Sequence, residues 1–256
     1  MNKTAFFNAI RPMFPGKKLT AVQVQVIDAI LDQCHAMSAE HLAFVLATGF
    51  GEANLTPVRE NMNYTAKRIR QVWPSRPEAV QFAGQPRELA NSVYGGRLGN
   101  RVGTDDGWNL RGGGIDQLTG RDNYRNVGIE NAPERILQPD FAVKSLVHGM
   151  TTGRYTGRKL ADYGNGAAFN ATAARAIVNG DVKLNGAKYA GYHAKFLTAL
   201  QSAGYGTTPP VRPDAEPAPI KPKPKPAPVG GIVAAITAII AAVVLGWGKI
   251  IELFGG

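Results

Sequence analysis

Cysteine is almost missing from this sequence. Cys34 stands alone, so no intrachain disulfide can staple the fold, and its place on the helical stripe Ile27, Ile30, Leu31 marks a small core residue rather than a nucleophile. Histidine is scarce and scattered, with no HExxH pair among His35, His41, His148 and His193. Isolated histidines are more often structural than ligating, so neither a metal nor a cofactor is expected. No phosphate-cradling GxxxxGK(S/T) occurs, which argues against nucleotide chemistry. Alternating hydrophobicity never runs far enough for a substantial sheet, and no internal repeat is present. The first residues hold only a brief apolar run, broken by Asn8, Arg11 and Pro12, and do not read as a usual secretory signal. Acidic residues are also in deficit, 19 against 29 basic ones. The resulting formal charge of +10 attracts polyanions: nucleic acid, anionic lipid or an anionic cell wall. With no zinc-finger spacing and no basic helix interleaved with aromatics, no nucleic-acid partner is expected.

What is abundant is helical patterning. The stretch before Pro12 and Pro15 suits a short helix over 3–11, and Thr20 caps a longer one ending near Met37. Ser38 caps an apolar helix through Leu42, Phe44 and Leu46 that should end near Gly49 or Gly51. Thr65 caps another stopped by Pro74, Ser75 with Glu78 and Thr119 with Asp122 form capping-box patterns, and Pro86 opens a helix at its first turn. Further helical patterns cover 139–152, 156–162, 171–178 and 186–202. Residues 95–114 hold eight glycines, a density that excludes a regular helix and implies a shaped loop.

Residues 207–228 alternate proline with lysine and alanine, which forbids helix interiors and sheet ladders and reads as a semi-rigid linker. Beyond it, 229–248 carry no charge, long enough as a helix to cross a bilayer core of about 30 Å. The expected architecture is therefore a globular domain over 1–206, the linker, and a transmembrane helix over 229–250. Gly230, Ala234, Ala238, Ala242 and Gly246 recur every fourth position and could form a self-association stripe. Lys221, Lys223 and Lys225 before the span favour an initially cytoplasmic domain anchored in the inner membrane.

Two carboxylates close the pattern: Glu52 and Glu60 follow the apolar helix in GEANLTPVREN. Backed by Phe50 and Leu55, Glu52 should be desolvated, which raises a carboxyl's pKa towards that of a general acid, while Glu60 between Arg59 and Asn61 should stay ionised as a base. The competing reading is two ordinary surface glutamates.

Three blocks decide between these: GEANLTPVREN, VYGGRLGNRVGTDDGWNLRGGGIDQLTGRDNY and ARAIVNGDVKLNGAKYAGYHAKFL. Together they resemble glycoside hydrolase family 19, specifically its bacteriophage lysozyme (endolysin) members. The resemblance implies a lysozyme-like, bilobal helical fold with a glycine-rich cleft loop, cleaving β-1,4 bonds in peptidoglycan or chitin with inversion. It places Glu52 as acid, Glu60 as base, Thr119 beside them, and Gln117, Asn123 and Tyr124 along the groove; Tyr64, Trp108 and Arg111 offer further aromatic and polar surface for sugars. Gly51 stands where the family commonly has His, and Asp116 where it has an aliphatic residue. Asp105, Asp106 or Asp116 remain alternatives to Glu60 as base. The expected function is a peptidoglycan-cleaving muramidase of phage lysis reaching the periplasmic wall, with chitinase or an inactive wall-binding or membrane-disrupting protein as alternatives.

Overall fold

Most helix boundaries follow short-range signals. The computed structural model describes residues 1–206, and there α1 (Lys3–Ile10) starts where Asn2 accepts from the Ala5 N–H at 3.1 Å. Helix α2 (Ala21–Gln33) opens on a capping box in which Thr20 and Gln23 each satisfy the other's backbone N–H. Ser38 caps α3 (Ala39–Ala53), Thr65 caps α4 (Ala66–Val72), and prolines at the first turn open α5 (Pro86–Tyr94) and α8 (Pro139–Thr152). The short α6 (Asp106–Asn109) and α7 (Arg121–Asn126) flank the glycine-rich loop, and α9 (Val182–Ser202) closes the described chain. Val58–Arg59 (β1) pairs antiparallel with Gly113–Gly114 (β2), the one strand pair among the described residues.

Some boundaries differ from expectation. Helix α3 does not stop at Gly49 or Gly51: it runs to Ala53, and Asn54 ends it in the left-handed region, φ 49°. Glu52 thus sits inside the last helical turn. The Ser75–Glu78 pattern forms no cap; a 3₁₀ turn, Pro77–Phe82, follows Arg76 instead. At Thr119 the N-cap is Gly120, φ 89°, because the threonine hydroxyl donates to the Gln117 carbonyl at 2.9 Å. The stretches 156–162 and 171–178 hold turns and the short 3₁₀ segments Leu160–Tyr163 and Ala173–Ile177 rather than α-helices.

The apolar interior divides in three. The largest cluster gathers α1, α2, α3, α8 and α9, with α3 against α9 and Leu42 to Ala47 wholly or almost wholly buried. Each such Leu, Val or Phe contributes about 1.5–3 kcal/mol by leaving water. Cys34 belongs here, and burial pushes its thiol up to about 12, where no nucleophilic thiolate forms near neutral pH. A second cluster joins Met62, α4 and α5, with Tyr64 and Trp108 at its edge; a third packs Leu110, Leu118, Tyr124 and Ile136 under the glycine-rich loop.

The mainly α class stands, but the transmembrane component of the expected architecture is corrected. No helix among the described residues is long and apolar enough to cross a membrane. The longest, α9 with 21 residues, carries Lys183, Lys188 and Lys195, which a hydrocarbon layer would not accept. The linker, the stretch 229–250 and its small-residue stripe lie outside the described residues.

Candidate active site

Helix α3 delivers Glu52 by its unbroken last turn. The side chain is about 4% exposed and its Oε1 accepts from the Arg175 guanidinium and, at 2.7 Å, from the Tyr189 hydroxyl. Arg175 comes from the 3₁₀ turn Ala173–Ile177 and is itself 3% exposed; it also pairs through Nε with Asp181 Oδ1 at 2.7 Å and stacks 4.1 Å from the Tyr189 ring centre. Burial alone would lower its pKa, but the charges of Glu52 and Asp181 outweigh that and raise it. Tyr189 is raised by burial and by the Glu52 charge. A Cβ on Gly51 would lie 2.5 Å from the Tyr189 ring. Glycine there lets the ring approach α3 closely enough for its hydroxyl to reach Glu52.

Glu60 is held differently. Extending from β1, it is 6% exposed; both carboxylate oxygens lie 2.9 Å from the Tyr94 hydroxyl, and Oε2 accepts from the Gly112 N–H at 3.2 Å. Burial raises its pKa against the opposing pull of Tyr94, Gly112 and Arg111. The expected polar setting is therefore corrected: Glu60 is buried and desolvated, and Glu52 is the carboxyl held in an ion pair. Neighbouring charges reversed the local sequence cue, because Arg59 points away to the Tyr124 hydroxyl and the Pro133 carbonyl, at 2.6 and 2.8 Å, rather than to Glu60.

The glycine-rich loop wraps this second carboxyl. Glu60 N–H donates to the Gly112 carbonyl at 2.8 Å, and a Cβ at Gly112 would meet both Gln117 Oε1, at 2.8 Å, and Glu60 Oε2, at 3.1 Å. Gln117 and Glu60 are thus brought together across a glycine. Arg111 donates to the carbonyls of Glu60 and Trp108 at 3.1 and 2.6 Å and stacks 3.5 Å from the Trp108 ring; burial and the nearby Arg59 lower its pKa to about 10. Tyr64 leans on Trp73 and is raised by burial and by the Glu60 charge. Thr119 and Asn123 are half-buried, linked by the Asn123 amide donating to the Thr119 carbonyl at 2.8 Å.

Tyr124 does not face a groove. Its ring is wholly buried, and its hydroxyl donates to the Arg111 carbonyl at 3.0 Å while accepting from Arg59, so it supports the loop from beneath. The alternative bases are engaged as well. Asp106 is clamped by Arg101 and Arg121, whose hydrogen bonds hold its carboxyl far below the usual range; Asp105, bonded by Arg87 and Asn91, is lowered to about 2. Asp116 is buried under three donors. No grouping of three His, Cys, Asp or Glu side chains able to hold a metal ion occurs among the described residues.

Sequence reasoning had not singled out Tyr94, Arg175, Asp181 or Tyr189. One signal was available: Arg175 interrupts the apolar run Ala-Ala-Arg-Ala-Ile-Val, and a buried arginine requires carboxylate partners.

No family model matches the sequence. The chain is 31% identical over 134 residues to a glycosyl hydrolase family 19 domain-containing protein of Haemophilus influenzae, an alignment that spans 48% of this chain and 67% of that protein. With one carboxyl held by the glycine-rich loop and another paired with Arg175, and two thirds of that relative covered, the chain belongs to glycosyl hydrolase family 19 and is a glycoside hydrolase.

Proposed function

We propose that this glycoside hydrolase is a muramidase of the endolysin type, hydrolysing the β-1,4 bonds of bacterial peptidoglycan. The observation that carries this reading is the pair of differently treated carboxyls, Glu52 against Arg175 and Tyr189, Glu60 against Tyr94 and Gly112. Acid/base hydrolysis of a glycoside needs two such groups with separated proton affinities. The formal charge of +10 favours an anionic wall over neutral chitin.

In the proposed reaction Glu52 donates the proton to the leaving oxygen and Glu60 accepts one from the attacking water. Burial strengthens Glu60 as a base once ionised, because it raises the carboxyl's affinity for the incoming proton. Tyr94 holds both of its oxygens and so fixes their direction. Thr119 and Gln117 lie on the loop beside Glu60, where a hydroxyl and an amide suit a water or a sugar hydroxyl. The same raised pKa supports a second reading in which the roles are exchanged and Glu60 is the acid.

Purified peptidoglycan treated with the protein should release soluble fragments, and mass spectrometry of their reducing ends, N-acetylmuramic acid or N-acetylglucosamine, identifies the bond. Release from chitin oligomers but not from peptidoglycan would overturn the substrate. Product NMR should show inversion at the anomeric carbon. Chemical rescue assigns the roles: azide should restore turnover to Glu60→Gln and an aryl glycoside with a good leaving group to Glu52→Gln, and the opposite pattern exchanges them.

A further inference from the structure

The loop that carries Gln117 and Thr119 is anchored by a buried carboxylate that the proposed reaction does not use. Asp116, with its side chain about 1% exposed, takes three donors on one oxygen, Oδ2: Arg154 Nη2 at 2.5 Å, Ser145 Oγ at 2.7 Å and the Tyr155 hydroxyl at 2.8 Å. Its other oxygen and Arg154 Nη1 are buried without a partner. An ion pair with two bare polar atoms is a poor device for stability, since an apolar filling of the same space often does as well. It does fix position.

Position matters at this point of the chain. The next residue, Gln117, is held at φ 53°, a left-handed backbone that costs a non-glycine residue on the order of 1–3 kcal/mol and persists only where its surroundings impose it. Asp116 restrains it from one side, and on the other the Thr119 hydroxyl binds the Gln117 carbonyl. The tether then continues. Tyr155 lies flat on α8 at Gly149, where a Cβ would meet its ring at 2.1 Å. Thr156 places its hydroxyl 2.7 and 3.0 Å from the carbonyls of Ala176 and Ile177, the two residues after Arg175. Arg175 is the ionic partner of Glu52.

We propose that Asp116, Arg154, Tyr155 and Thr156 form a brace that sets the Gln117–Thr119 wall of the site against the Arg175–Glu52 wall, and that all four are positioning residues for the hydrolysis. One three-residue turn, 154–156, bonds the residue before Gln117 and the two residues after Arg175. This inference rests on the reading of Glu52 as a reacting group.

Turnover of soluble peptidoglycan fragments separates the possibilities. Thr156→Val and Tyr155→Phe each remove a hydroxyl and almost no volume; each should lower kcat about tenfold, because sub-ångström misplacement of reacting groups is costly, with KM within about twofold when turnover is read well below each variant's own melting temperature, since the acceptors left behind cost some stability. Thr156→Ser should restore kcat. The double variant should lose little more than the worse single one, since two breaks in one chain of contacts are not additive. Asp116→Asn should lower kcat at least as far as Tyr155→Phe does, with a clear loss of stability as well, because it leaves Arg154 buried without its anion. Single losses within twofold, losses carried by KM, or a multiplicative double loss would each overturn the brace. Glu52→Gln runs alongside: turnover there removes the site reading itself, whereas an inactive Glu52→Gln with any of those outcomes removes only the brace.

Discussion

Two carboxylates eight positions apart both have their side chains largely withdrawn from water, yet the protein keeps them by different means. Glu52 leans on the largest cluster and is matched by a cation, with Arg175 shared between it and Asp181. Glu60 sits at the junction of the two smaller clusters and is matched by neutral donors, a phenol and a backbone N–H, with Arg111 bonding only its carbonyl. An ion pair makes each charge depend on its partner. Neutral donors leave the burial cost in place, and it shows as a raised proton affinity.

The largest effect should come from Glu52→Gln, which keeps the shape and the Tyr189 contact but removes the proton donor. A loss of roughly two to four decades in kcat is expected; activity near wild type at an unchanged melting temperature would erase the catalytic half of the comparison. Next in size, Arg175→Ala strands Glu52 and Asp181 in a dry site. Removing one partner of a buried pair costs about 3–5 kcal/mol, to be read by urea unfolding near pH 7. A cost under about 1 kcal/mol would mean that Glu52 is not held by that cation.

Tyr94→Phe takes the phenol from Glu60 and leaves it the Gly112 N–H. About 1–3 kcal/mol of stability should go, more of it as pH rises and Glu60 ionises. A loss that is equal at pH 4 and pH 8 would show that the hydroxyl serves packing rather than the charge. The smallest and most discriminating effect belongs to Glu60→Gln. Because the folded pKa is raised from 4.5, the native state binds the proton more tightly than the unfolded chain. That stabilisation is complete below about pH 4.5 and is lost as pH rises through the folded pKa. The glutamine variant cannot ionise, so its stability relative to wild type should improve steadily from pH 4.5 upward. A flat difference would show that burial does not raise the proton affinity of Glu60.

Much of the helical framework was legible along the chain. Ser38, Thr65 and Thr20 cap the helices they precede, Pro86 opens α5, and the apolar run around Phe44 is buried all round. These are events within four residues, so local chemistry decides them. Reading Glu52 at the mouth of α3 failed because Asn54, not a glycine, supplied the left-handed stop. Thr119 looked like a cap, but its hydroxyl went to the carbonyl two residues back, a choice the loop's glycines permit.

The carboxylates themselves, the glycine-rich loop and the polar residues of that loop were likewise present in the sequence as chemistry without an environment. Tertiary structure alone decided which of them would be ion-paired, buried or supporting. Arg175 reaches Glu52 across 123 positions and Tyr189 across 137; Tyr94 reaches Glu60 across 34. Tyr124 turned inward as Arg59 and the Arg111 carbonyl took its hydroxyl. The physical reason is that capping energies are short-ranged and written in adjacent residues, whereas a carboxyl's proton affinity depends on how much water is excluded and which charge arrives from elsewhere in the chain.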